Sequence, residues 1–186
     1  MPYVAPRVDL ERPLPSIGHN GGPPFEQTFR GFAWRKAHAK AWRTPPREIA
    51  LARLARAERI GLTYRDYQSV LMDRGVNLSA VVLAPGVLKA MPKAAVREKL
   101  AAIRGATLFV CLDPRDLVDA DWLVTASEVI RASRADLAAV IVEALSDRLL
   151  PPLAAFLVGT SDADRAIAEM AGLPLYKPAA EYFAGA

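Results

Sequence analysis

A chain of 186 residues, 52% of them hydrophobic, has room for one ordinary domain and an appendage, and is too apolar for wholesale disorder. Its single cysteine, Cys111, excludes a disulfide framework and any zinc site built on several cysteines, and its two histidines, His19 and His38, are too few for a histidine-rich centre. The net charge of +4 is uneven: 13 Lys or Arg against 7 Asp or Glu over residues 1–75, then 11 against 13 over 76–186. An anionic partner would therefore meet the basic front half, the plainer alternative being a solvated helix face.

No signal peptide is read at the N-terminus, and no stretch of about 18 apolar residues suggests a membrane span. The expected location is the cytoplasm, and the Ala- and Arg-rich composition suggests a bacterial protein. Residues 1–27 read as a flexible extended arm, because Pro2, Pro6, Pro13, Pro15, Pro23 and Pro24 fix dihedrals and remove donors. Within it, Gly18 to Pro24 (Gly-His-Asn-Gly-Gly-Pro-Pro) reads as a docking peptide, with an anion-binding backbone nest as the alternative.

Residues 28–75 form a basic helical module. A helix is expected from Phe29 to Trp42, where Phe29, Phe32, Ala33, Ala37 and Ala41 trace one stripe and Arg35 and Lys36 supply charge. Thr44-Pro45-Pro46 ends it. A second helix, Arg47 to Ile60, carries a broad apolar face of Ile49, Leu51, Ala52, Leu54, Ala55 and Ile60. Arg53, Arg56 and Arg59 recur along one side. Gly61 is a left-handed cap, and Thr63 with Asp66 reads as a capping box opening a third helix, from which Tyr64, Tyr67, Val70 and Leu71 face inward and which Gly75 closes.

From residue 76 the pattern changes to strands alternating with helices. Strands are expected at Ser79–Leu83, Ala106–Leu112, Ala154–Val158 and Leu173–Tyr176, and helices at Lys93–Arg104, Asp136–Leu149 and Asp164–Ala171. This implies an α/β fold over 76–186: a small Rossmann-like three-layer domain with a parallel sheet, preceded by the helical segment and the arm.

Ligands bind outside the carboxyl ends of such strands. Asp113, Arg115 and Asp116 follow one strand, and Thr160, Ser161, Asp162 and Asp164 follow another. Two acidic clusters at one edge would suit magnesium, with Asp162 and Asp164 as ligands, whereas aspartates capping helix N-termini are the plainer account. Cys111 is a poor candidate for a phosphatase nucleophile, since Leu117 stands where such a loop needs arginine; a buried strand cysteine is expected.

Three strings carry a resemblance: Arg134-Ala135-Asp136 before a helix, Phe156-Leu157-Val158-Gly159-Thr160-Ser161-Asp162-Ala163-Asp164, and Ala168-Glu169-Met170-Ala171-Gly172-Leu173-Pro174. Together they resemble the C-terminal half of a haloacid dehalogenase-like hydrolase. The resemblance spans Ser79 to Phe183 and implies a Rossmann-like sheet and, in most members, magnesium-dependent phosphatase activity. The family's first motif is an apolar run followed by Asp-x-Asp-Gly-Val-Leu. Here the matching string is Val81-Val82-Leu83-Ala84-Pro85-Gly86-Val87-Leu88, so Leu83 takes the nucleophile position and Pro85 that of the general acid/base. Thr160 stands where the first aspartate of the acidic motif belongs. Asp164 matches the second, Asp113 lies near the Thr/Ser position, and Arg134 fits the phosphate-facing cation.

A weaker resemblance to a PIN-type nuclease domain rests on Val82–Leu88, Val158–Asp162 and Leu175–Phe183; Ala84 then takes the first acidic position. Either comparison implies a site whose first acid is missing.

The expected function is therefore a non-catalytic binding or regulatory protein. No cofactor is expected, and the basic module would contact nucleic acid or an acidic protein partner through Arg35, Lys36, Arg53, Arg56, Arg59 and Arg65. One alternative is a magnesium-dependent phosphohydrolase working with Asp113, Asp162, Asp164 and Arg134. Another is a structural subunit of a larger assembly.

Overall fold

The computed structural model describes residues 45–115 and 127–184. The expected arm, the helix over 29–42 with Arg35 and Lys36, both histidines and Asp116 lie outside the described residues. The described elements all belong to one compact unit, Pro46–Ala186.

In chain order they are α1 (Arg47–Arg59), α2 (Tyr64–Arg74), β1 (Ala80–Leu83), α3 (Val87–Ala90), α4 (Lys93–Ala102), β2 (Thr107–Leu112), β3 (Ser127–Arg131), α5 (Leu137–Asp147), β4 (Ala155–Gly159), α6 (Asp162–Met170), β5 (Tyr176–Pro178) and α7 (Ala179–Phe183). A short 3-10 turn, Pro152–Ala154, leads into β4. The five strands form one parallel sheet in the order β3-β2-β1-β4-β5. It is a small α/β three-layer domain of Rossmann-like type. Among the described residues no helix is long and apolar enough to cross a membrane.

The central strands are apolar on both faces because both faces are covered. Every residue of β1 and β4 is buried, as is β2 beyond Thr107. On one side α5 packs against α6; on the other α4 packs against α7. Phe156 of β4 meets Tyr182 of α7 with ring centroids 5.9 Å apart, and Tyr182 meets Phe183 edge-on at 5.2 Å. Each such fully buried aromatic contributes about 1.5–3 kcal/mol through burial.

Helices α1 and α2 join this core. Ala57, Ile60, Leu62, Tyr67 and Val70 are buried within the same cluster as the strands. Tyr182 Oη donates to the Ile60 carbonyl at 2.8 Å. Lys177 of β5 reaches Asp66 of α2 at 2.9 Å and Glu181 of α7 at 2.9 Å. Burial alone would lower the Lys177 pKa, but its two carboxylate partners outweigh that and raise it.

The ends of the elements differ from expectation for local reasons. Thr63 accepts from the Asp66 amide at 3.1 Å, but the Asp66 carboxylate turns to Lys177, so only half of the expected capping box forms. Helix α5 stops at Asp147, short of Leu149. Leu150 N donates to the Leu145 carbonyl and Leu149 N to that of Ser146, which is a left-handed terminal turn. Leu149 occupies the position usually held by glycine, with φ 55° and 93% exposure. Leu149→Gly should therefore stabilise the protein, by up to about 1 kcal/mol in urea denaturation.

The last strand begins at Tyr176 and not at Leu173. Leu173 N donates to the Ala168 carbonyl and so belongs to the closing turn of α6; pairing with β4 starts at Leu157↔Tyr176. Strand β3, the one-turn helix α3 and α7 were not expected from the sequence. In β3 only Ile130 is buried, so it lacks the apolar run that marks the inner strands.

Candidate functional site

The strand order reverses between β1 and β4, because β2 and β3 extend the sheet from one side of β1 and β4 and β5 from the other. The crevice outside the carboxyl ends of β1 and β4 is where a parallel α/β sheet takes its ligands. Leu83 pairs with Val158 across it, and the Ala84 amide donates to the Val158 carbonyl at 2.8 Å. The two segments that follow, Ala84–Gly86 and Thr160–Asp164, therefore face one another. A Cβ on Gly86 would stand 2.7 Å from Thr160 Oγ1.

Among the described residues, the β1 side of this crevice offers no chemistry. Leu83, Ala84 and Pro85 are all buried. None has a group that can attack phosphorus, transfer a proton or bind a metal.

On the β4 side, Asp164 is the one fully buried charged residue among those described. Its position follows from the local sequence: Ser161-x-x-Asp164 caps α6 reciprocally. Ser161 Oγ accepts from the Asp164 amide at 3.3 Å. Asp164 Oδ2 accepts from the amides of Thr160 at 2.9 Å and Ser161 at 3.1 Å, and from Thr160 Oγ1 at 3.3 Å. Gly159 makes this turn possible, since a Cβ there would fall 2.6 Å from Asp164 Cβ and 2.8 Å from Tyr176 Cε2.

Arg134 arrives from the loop after β3. Its Nη2 lies 3.1 Å from Asp164 Oδ1 but off the line of a hydrogen bond, so the contact is ionic and that oxygen accepts no hydrogen bond. Nη1 lies 3.5 Å from Ser161 Oγ. The guanidinium is half exposed. Tyr176 Oη closes the group by donating to the Ser161 carbonyl at 3.1 Å, while Arg165 stacks over its ring at 4.7 Å. Burial and the Asp164 charge both push the Tyr176 pKa up.

The structure thus brings together Arg134, Thr160, Ser161 and Asp164 of the residues singled out from the sequence. Among the described residues it does not bring in the other aspartates, Asp113 and Asp162. Asp162 is fully exposed and 3.8 Å from Arg165 on its own helix. Asp113 follows β2, on the far side of β1, and its Oδ1 accepts from the Arg115 amide at 2.9 Å. Among the described residues no group of three or more His, Cys, Asp or Glu is placed to hold a metal ion. The donor set does not fit magnesium. Asp164 spends one oxygen on backbone and hydroxyl donors and the other on Arg134, which is the work of a helix cap and an ion pair.

Cys111 is a buried strand residue, and burial pushes its thiol up to about 12, with the Asp164 charge adding to the rise. It is therefore no nucleophile at neutral pH. The shift has a consequence for stability. The unfolded thiol ionises near its ordinary 9.0, the folded one near 12, so this contribution is intact below pH 9 and is lost between those values. Within that window the loss runs at roughly 1.4 kcal/mol per pH unit. Urea denaturation at pH 8 and 9.5 should show a shallower decline for Cys111→Ala than for the native chain.

Of the arginines expected to meet an anion, Arg56, Arg59 and Arg65 are exposed and Arg53 is partly buried. They lie on α1 and α2, away from the crevice residues in sequence. Of the apolar face expected for the helix from Arg47 to Ile60, Ile60 is buried but the N-terminal part is not. Ile49, Leu51 and Leu54 are 46%, 52% and 37% exposed, while Ala57 faces the core. The Tyr176–Ser161 contact was missed because it joins positions 15 apart through the β4–β5 pairing; the Ser161-x-x-Asp164 spacing was a signal that could have identified the cap. Comparison with protein-family models, curated proteins and solved structures finds no match for this chain.

Proposed function

We propose that the protein is a non-catalytic binding protein: a degenerate haloacid dehalogenase-like domain that presents helix α1 to an acidic protein partner. The observation that carries the non-catalytic half is the crevice itself. Leu83, Ala84 and Pro85 are buried where a phosphohydrolase needs acids, and Asp164, the one buried carboxylate among the described residues, is consumed by its own helix terminus and Arg134. Phosphoryl transfer of that kind needs a free carboxylate.

The partner reading rests on the surface of α1. Exposed Arg56 and Arg59 share this helix with exposed Leu51 and Leu54. Arginines flanked by aliphatic side chains suit a protein surface, where the apolar groups can also be buried. A nucleic-acid reader of the helix-turn-helix type would put its charge on the second helix. Here α2 carries Arg65 and Arg74 against Asp66 and Asp73, which is neutral.

The test compares the native chain with Arg53→Glu/Arg56→Glu/Arg59→Glu and with Leu51→Ser/Leu54→Ser. Proteins captured by the native chain are purified and their affinity measured directly. The reading expects an acidic partner whose binding weakens at least tenfold in both variants, a loss of about 1.4 kcal/mol or more. A low-salt gel shift with mixed DNA and RNA that charge reversal abolishes would overturn it in favour of nucleic acid.

A further inference from the structure

A cleft of about 420 Å³ opens between the α1–α2 turn, α4 and the C-terminal elements β5 and α7. That volume lies within the range of small-ligand sites, roughly 300–1,000 Å³. Four charged side chains line it: Glu58 from α1, Lys99 from α4, Lys177 from β5 and Glu181 from α7. Tyr182 forms part of its wall.

The wall is fixed. Tyr182 is buried, and its hydroxyl is tied to the Ile60 carbonyl. Gly61, at φ 73°, lies so close that a Cβ there would stand 2.8 Å from Lys99 Cε and 2.9 Å from Tyr182 Oη. The Lys99 stem is thus seated on the Gly61 backbone, and its ammonium lies 5.2 Å from the Tyr182 ring centroid.

The four charges are not alike. Lys177 is only 15% exposed and is held by Glu181 and by Asp66 behind it. Lys99 and Glu58 line the same cleft, yet among the described residues neither has an ion-pair partner. Among the described residues, one cation and one anion without an ion-pair partner therefore line a shared space.

We propose that this cleft binds a small zwitterion carrying one ammonium and one carboxylate group, with the carboxylate on Lys99 Nζ and the ammonium on the Glu58 carboxylate. A simple anion entering here meets Glu58 and Glu181, and a simple cation meets Lys99 and Lys177. A dipolar ligand gains a charge-assisted hydrogen bond at each end and leaves no charge opposed. The free amino acids are the ligand class that fits. The inference does not depend on the α1 partner surface or on the crevice at β1 and β4.

The full chain is titrated with glycine, β-alanine and γ-aminobutyrate while its amide ¹H–¹⁵N spectrum is followed. Saturable shifts centred on Gly61, Leu62 and Thr63 are expected with at least one of the three. Binding should weaken at least tenfold in Lys99→Met, which keeps the unbranched apolar stem and removes the ammonium, and, separately, in Glu58→Gln, which keeps the side chain's shape and removes the charge. Blocking either charge of the ligand, by N-acetylation or amidation, should cost as much. Lack of saturable shifts with all three zwitterions overturns the proposal, as does binding that either variant leaves unchanged. An N-acetylated ligand that binds as well as its parent would show a plain anion site and overturn it too.

Discussion

Asp164→Ala should destabilise the protein by about 3 kcal/mol, the largest effect expected of any polar residue in the crevice. The carboxylate is fully buried and serves four groups at once. Removing it leaves the Thr160 and Ser161 amides without their acceptor, breaks the reciprocal cap of α6 and strands Arg134 beside a buried turn. Each buried donor left without a partner costs about 1–3 kcal/mol, and loss of a cap about 1 kcal/mol, so partial relief by water brings the sum near 3. Asp164→Asn keeps an acceptor oxygen for the two amides and loses the ion pair, so it should cost less than alanine. Urea denaturation of the three proteins checks this. A loss below about 1 kcal/mol for the alanine variant would show that Asp164 is not a structural cap, and would return it to the candidates for chemistry.

Leu83→Asp tests the other side of the crevice. It places a carboxylate where the family resemblance expects the nucleophile, yet no activity should follow. The new acid would be fully buried between Val110 of β2 and Val158 of β4. An unpaired buried charge costs about 3–5 kcal/mol, and the group would escape by staying protonated, which also disables it as a nucleophile. Leu83→Met, which conserves volume, should cost less than about 1.5 kcal/mol and serves as the control for packing. Hydrolysis of p-nitrophenyl phosphate with magnesium is the activity readout. Turnover by folded Leu83→Asp, or by the native chain in a form lost with Asp164→Ala, would refute the non-catalytic reading.

These two residues show how differently sequence and structure speak. That Leu83, Ala84 and Pro85 cannot serve as acids follows from their identities alone. That Asp164 is held as a helix cap and ion-pair partner follows from where its oxygens point. The Ser161-x-x-Asp164 spacing marks a cap in the sequence, but the arrival of Arg134 from the loop after β3 and of Tyr176 from β5 depends on strand order. No local signal encodes a contact between positions 30 apart.

By itself the sequence determined the alternation of strands and helices, and with it the parallel α/β class. It did so because burying a strand on both faces demands a continuous apolar run, which β1, β2 and β4 display. It also determined the Thr63 cap and the stop at Gly61, and it held the spacing behind the Ser161 cap, because such caps are set by groups within three or four residues of one another. Only the tertiary structure decided that β1 stands between Asp113 and Asp164, so that these two acids do not share a site. It alone turned Leu51 and Leu54 outward, because Ala57 is the buried residue of α1 and Ile60, just past its end, meets the core with it. And it alone set Glu58, Lys99, Lys177 and Glu181 around one cleft, drawn from four separate elements, since such an assembly depends on how the layers pack and not on any local pattern.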